Sequence, residues 1–125
     1  MAALLLANVA QASTADILST GMIRSMVAET AVAYNIDPVV FMAVAECESG
    51  FDTDVQSNYY HKGVREDSYG LFQIRLSAHK DVSYENATSA LFSLNWAAQN
   101  WSKASELWVS CYKKATKDIP VIVRH

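Results

Sequence analysis

The chain has 125 residues, 51% of them hydrophobic, enough for one domain around a single core. A net charge of −3 and an isoelectric point near 5.5 argue against a nucleic-acid binder, which would carry a basic face, and no apolar run is long enough to span a bilayer. Three Trp, six Tyr and four Phe against four Gly and two Pro suit a mainly helical (α+β) domain with one loop-rich insert.

Ala2 to Ala10 is a short apolar run, and Ala10-Gln11-Ala12 before Ser13 has the small-x-small pattern of a secretory cleavage site. No Lys or Arg precedes Arg24, so the charged leading region of an export signal is missing. The alternative is an ordinary first helix packed on the core. Residues 1–12 are thus read as the remnant of an export segment, 13–118 as the domain and 119–125 as a tail. From Ser13, with Ser13 or Thr14 as cap, Ile17, Leu18, Met22, Ile23, Met26, Val27, Thr30, Ala31 and Tyr34 recur at intervals of three and four, predicting an amphipathic helix. Gly21 marks a possible break in it, and the Met residues read as core filler.

The central stretch is Asp37 to Gly50. Asp37 suits the N-cap, Pro38 the first helical position and Gly50 a left-handed C-cap, which predicts a helix of about three turns. Pro38 to Ala45 is apolar without interruption, so the helix is expected to be buried on every side. Glu46 and Glu48 follow in the last turn, where burial and the helix dipole both favour the protonated acid. A carboxyl that is neutral near pH 7 is what a general acid requires. Periodicity does not choose between the two: Glu48 continues the row Phe41, Val44, Ala45, and Glu46 continues Val39, Met42, Ala43.

Between Phe51 and Ser68 the density of Asp, Ser, Asn and Gly rules out a long helix. Tyr69 to Ile74 then reads as a β segment, with Gly70 where another backbone approaches closely. A small hairpin lobe beside the end of the central helix would wall a cleft. The chain is helical again from Ser83 or Asn86, with Ala87, Leu91, Leu94, Asn95 and Ala98 as an apolar stripe, Phe92 and Trp96 beside it, and a last helix carrying Ala104, Leu107, Trp108, Cys111 and Tyr112. Lys113, Lys114 and Lys117 complement the negative end of that helix. His61, His79 and His125 have no ligand-like spacing, and no metal or organic cofactor is implied. Cys47 and Cys111 form no CxxC or Cys/His cluster, which suggests a disulfide bridge over a metal site, with two buried thiols as the alternative.

Glu48-Ser49-Gly50-Phe51-Asp52-Thr53, followed by Tyr69-Gly70-Leu71-Phe72-Gln73-Ile74, resembles the paired signature of the lysozyme-like superfamily. That superfamily includes the soluble lytic transglycosylases, the c-type and goose-type lysozymes and the resuscitation-promoting factors. The resemblance covers roughly Ile36 to Tyr112. It implies a lysozyme-like fold, peptidoglycan glycan strands as substrate and Glu48 as the catalytic residue, ranked over Glu46. It also implies substrate contact by Ser57, which falls where the transglycosylases keep a Ser near the catalytic Glu, and by Gln73, which matches the Gln of the cleft strand. Tyr69-Gly70 is similar to the Tyr-Gly of the c-type lysozymes. Tyr112 resembles the Tyr of the last transglycosylase motif, although Lys113 stands where that motif has Asn, and a packed aromatic is the other reading.

A Cys directly before Glu48 and another after Trp108 are similar to the resuscitation-promoting factors, in which the equivalent pair is bonded. By that likeness Cys47 and Cys111 form a disulfide. The protein is expected to be a monomer, secreted or held in the periplasm. Glycosidases generally use two carboxylates, about 5 Å apart when retaining and roughly 6.5 to 9.5 Å when inverting. Asp67 is the candidate second acid, but in the c-type pattern the Asp directly precedes Tyr-Gly, a place held here by Ser68. On a strand a shift of one residue reverses the face. Without a second acid the single-Glu scheme of the transglycosylases suffices. Two outcomes stay open, a small exported enzyme cutting peptidoglycan strands and a binding module that has kept the cleft without turnover.

Overall fold

The computed structural model describes residues 21–119. The expected export segment, the first part of the helix from Ser13 and the end of the tail lie outside those residues. Helix α1 (Ile23–Ala33) turns its buried residues Ile23, Val27 and Ala31 inward at the expected spacing. Met22 and Tyr34, expected on the same stripe, are exposed. Helix α2 (Pro38–Ser49) starts and stops as its sequence dictates. An Asp37 carboxylate oxygen accepts from the Val39 and Val40 amides at 2.9 and 3.4 Å, and Gly50 takes φ 61° while its N–H donates to the Glu46 carbonyl.

The expectation that α2 is buried on every side is corrected by the packing. Val40, Phe41, Val44 and Ala45 are buried, but Val39 is 71% exposed. α1 and the last helix cover only part of its circumference, so an apolar run longer than the available partners leaves one side in water. The buried row is the one that Glu48 extends. Glu46 instead lies on the exposed side, where its carboxylate meets Arg24 at 3.3 Å in an ion pair about 60% exposed on both sides, a geometry worth ~0–1 kcal/mol.

After Gly50 the chain reverses sharply. Phe51 adopts φ 66° and drops into the core, beneath the Arg24 guanidinium 5.0 Å from its ring. Among the described residues, β1 (Tyr60–His61) pairs with β2 (Val64–Arg65), and β3 (Ser68–Tyr69) pairs with β4 (Ile74–Arg75), both antiparallel. The segment Tyr69 to Ile74 is therefore not one strand but a hairpin whose loop is Gly70 to Gln73. Its β-favouring residues are held there by burial: Leu71 and Phe72 are inserted into the helical core with no exposed surface. Gly70, at φ 83°, lies against the Ala87 carbonyl, the close backbone approach the sequence suggested.

The last third is more broken than its periodicity predicts. Ser83 caps the short helix α3 (Tyr84–Ala87) and Ser89 caps α4 (Ala90–Gln99), each hydroxyl accepting a backbone N–H. Leu94, Ala97 and Ala98 face the core, while Leu91, expected among them, is 65% exposed because the new start at Ser89 rotates the stripe. A 3₁₀ turn (Trp101–Lys103), α5 (Ala104–Leu107) and α6 (Val109–Thr116) follow, with the helix interrupted at Trp108, φ −125° and ψ 54°. That break turns the indole inward. Ring pairs Phe41–Phe72, Phe41–Trp101, Phe72–Trp108 and Trp101–Trp108, 4.9 to 5.6 Å between centroids, join α2, the hairpin loop and the C-terminal helices in one aromatic core. Cys47 of α2 and Cys111 of α6 are bonded, closing a sequence separation of 64.

Candidate active site

α2 ends at the mouth of a cleft of about 420 Å³. Glu48 enters it from the last turn of α2, with Gln56, Ser57, Asn58, Glu66 and Ser68 along one wall. Gln73, Ile74 and Arg75 of the second hairpin form part of the floor, and His79, Trp96, Leu107 and Trp108 close the helical side. The Glu48 carboxyl is half-buried, and no hydrogen bond or ion pair among the described residues compensates its charge. Burial first, and then the negative charge of Glu66, raise its pKa from 4.5 to about 7. The group is a poised acid at neutral pH.

The wall that faces it is held by its own backbone. The Ser57 amide donates to the Ser68 carbonyl at 2.9 Å, and the Gly70 amide to the Val55 carbonyl at 2.9 Å. Arg65 Nε donates to the Ser57 carbonyl at 2.7 Å, which locks the loop from behind. The Ser57 hydroxyl oxygen accepts from the Tyr59 amide, leaving its proton available to the cleft. Gln73 adopts φ 49°, and its amide nitrogen donates to both the Val55 and Gly70 carbonyls at 3.0 Å. Its side-chain nitrogen is thus committed to the loop, and its carbonyl oxygen is the part left for a ligand.

Of the residues singled out in the sequence, the structure brings Glu48, Ser57, Ser68 and Gln73 together, with Cys47 at the rim. It does not bring in Asp67, Tyr69 or Tyr112. The Asp67 carboxylate accepts from the Ser77 amide and hydroxyl at 2.8 and 2.9 Å and pairs with Arg75 at 3.7 Å, on the far side of the strand from Glu48. Tyr69 packs edge-on against Tyr84, and Tyr112 against Trp101. Both rings serve the cores beside the cleft.

The carboxylate that does share the cleft with Glu48 is Glu66. Its Oε1 accepts from the buried Ser68 hydroxyl at 2.7 Å, and its backbone is fixed on both sides, the amide on the Tyr59 carbonyl and the carbonyl on the Gln56 side-chain amide. The signal was period two: Glu66 and Ser68 lie on one face of an extended segment and Asp67 on the other. His79, which has no ligand-like spacing in the sequence, stands with its ring edge-on to Trp96 at the cleft wall, 4.9 Å between centroids. Among the described residues no three His, Cys, Asp or Glu side chains converge to hold a metal ion.

No curated protein and no solved structure matches the chain significantly. A family model described as the transglycosylase SLT domain does match, over residues 25–119. That span begins within α1 and takes in the helical body, the hairpin lobe and the disulfide, so the lysozyme-like architecture and the family agree along the whole described cleft. By this match the chain belongs to the transglycosylase SLT domain family.

Proposed function

We propose that the protein cleaves peptidoglycan glycan strands at the β-1,4 bond between N-acetylmuramic acid and N-acetylglucosamine, with Glu48 as its acid and base. The observation that carries this reading is a carboxyl raised to about 7 and pointing into an open cleft whose walls offer sugar-binding polar groups. Protonated Glu48 gives its proton to the bridging oxygen, and the bond from that oxygen to the muramic C1 breaks. The substrate's own N-acetyl oxygen stabilises the cationic C1. The sugar's 6-hydroxyl then attacks C1 and returns its proton to the Glu48 carboxylate, closing a 1,6-anhydro ring and restoring the acid. Ser57 and Gln73 are assigned to substrate contact, and Ser68, buried and donating to Glu66, to holding that carboxylate in the cleft. Asp67, Tyr69 and Tyr112 are assigned to neither, because their side chains are occupied elsewhere.

One observation favours a second outcome at the same site. Glu66 places another carboxylate in the cleft, and a carboxylate able to take a proton from water would turn the reaction into hydrolysis. The bridge between Cys47 and Cys111, of a kind that persists in oxidising compartments, supports action outside the cytoplasm, and among the described residues no helix is long and apolar enough to cross a membrane.

The test is digestion of purified peptidoglycan by the oxidised protein and by Glu48→Gln, with the released ends identified by mass spectrometry. Anhydro ends from the wild type alone are expected. Reducing ends would assign hydrolysis. No release by the wild type, with glycan still bound, would overturn cleavage and leave a binding module.

A further inference from the structure

The helical side of the cleft is formed by His79, Trp96, Leu107 and Trp108, and of these four side chains only His79 can both accept and donate a hydrogen bond. Its backbone is fixed in a tight turn, the amide on the Arg75 carbonyl at 3.0 Å and the carbonyl on the Val82 amide at 2.9 Å. The ring stands edge-on to Trp96, and Trp96 stands edge-on to Trp108, 6.3 Å between centroids. Trp108 is anchored in turn by its N–H on the Phe72 carbonyl. The imidazole is thus braced through two indoles to the core beneath the cleft. Its nitrogens are not engaged: among the described residues neither makes a hydrogen bond or an ion pair, and neither is buried away from solvent. A half-buried polar ring that is oriented by packing and has both nitrogens open is placed for a ligand.

We infer that His79 is a substrate-binding residue of the cleft, its imidazole hydrogen-bonding a hydroxyl of the sugar that lies on the helical wall. The inference rests on the cleavage reading above and adds a contact on the helical side, where that reading assigns none. A hydroxyl suits either tautomer of the ring, since it accepts from the protonated nitrogen or donates to the bare one. Trp96, Leu107 and Trp108 offer apolar surface to the C–H face of the same sugar. On such a wall a single polar group decides which way the sugar turns, so His79 orients the strand that Glu48 protonates.

Two variants separate the hydrogen bond from the packing. His79→Phe keeps a ring against Trp96 and loses both nitrogens, whereas His79→Gln gives up the ring and keeps a side chain that donates and accepts. On soluble uncrosslinked glycan strands His79→Phe is expected to lower kcat/KM about fivefold, the scale of one neutral hydrogen bond, with the loss in KM. His79→Gln is expected to recover most of that loss. Wild-type kcat/KM in His79→Phe, or a loss in His79→Gln as large as in His79→Phe, would overturn the proposal while leaving cleavage intact. The same strands are also titrated against Glu48→Gln protein with and without His79→Phe, because binding needs no turnover. An affinity about fivefold weaker in the double variant supports the contact, and equal affinities overturn it. No release by the wild type would instead sink the cleavage reading, and the titration would then decide the role of His79 by itself.

Discussion

Replacing Glu48 by Gln is expected to stabilise the protein, and to do so more as pH rises. The Glu48 carboxyl titrates near 7 in the folded chain against 4.5 ordinarily. Between those values the folded state holds a proton that the unfolded state has released, so wild-type stability falls with increasing pH across that window. Below it the two states are equally protonated and the group contributes no penalty. Above it the folded protein carries a half-buried charge without a partner. The full interval corresponds to a ceiling of about 3 kcal/mol, and solvent reaching the cleft lowers this to roughly 2. A Gln of the same size has no such penalty at any pH. Urea denaturation under non-reducing conditions, run on both proteins from about pH 4 to pH 8, reads the difference directly, since titrating groups that do not interact with Glu48 cancel. The gap should be small near pH 4, widen through pH 5 to 7 and level off above. A constant offset, or a gap that narrows with pH, would refute the claim that burial and Glu66 keep this acid protonated.

Three further substitutions probe the lobe opposite. Glu66→Gln removes the smaller of the two causes that raise Glu48, so the alkaline limb of the pH–rate profile should move to lower pH while staying above 4.5, because burial remains; if Glu66 activates water, the same variant raises the share of anhydro ends in the product spectrum. Gly70→Ala combines a left-handed φ with a Cβ driven into the Ala87 carbonyl and should cost at least about 2 kcal/mol in chemical denaturation. Gly63→Ala has a similar φ but open space around it, and should cost about 1 kcal/mol.

What could be read in the sequence was local and what could not was tertiary. Asp37, Pro38 and Gly50 act through neighbouring backbone groups, so they marked the ends of α2 correctly. The choice between Glu46 and Glu48 depended on which row of α2 found partners. Both rows are apolar in sequence, and only packing against α1 and α6 separates them. Resemblance ranked Glu48 over Glu46, and burial gives the physical reason. In the lobe, Tyr69 to Ile74 had strand-forming residues, but the pull of the helical core on Leu71 and Phe72 turned the middle of the segment into a loop. The break at Trp108 has no local cause either, since no Gly or Pro stands there. It follows from an indole whose N–H donates to the Phe72 carbonyl at 2.6 Å. The second acid of the cleft was within reach of the sequence. Asp67 was argued to face away by the alternation of a strand, and the same alternation turns Glu66 inward.

That bond from Trp108 to Phe72 joins the hairpin loop to the C-terminal helices at the floor of the cleft, with the Phe72 ring embedded among Phe41 and Trp108 beneath it. A jaw needs a hinge, and here the small lobe is keyed into the body by its own loop tip. Swinging it outward would pull two fully buried side chains, Leu71 and Phe72, into water at a cost of about 2 kcal/mol or more each. The width of the cleft is accordingly set when the chain folds, and burial of the loop tip opposes any outward swing of the lobe.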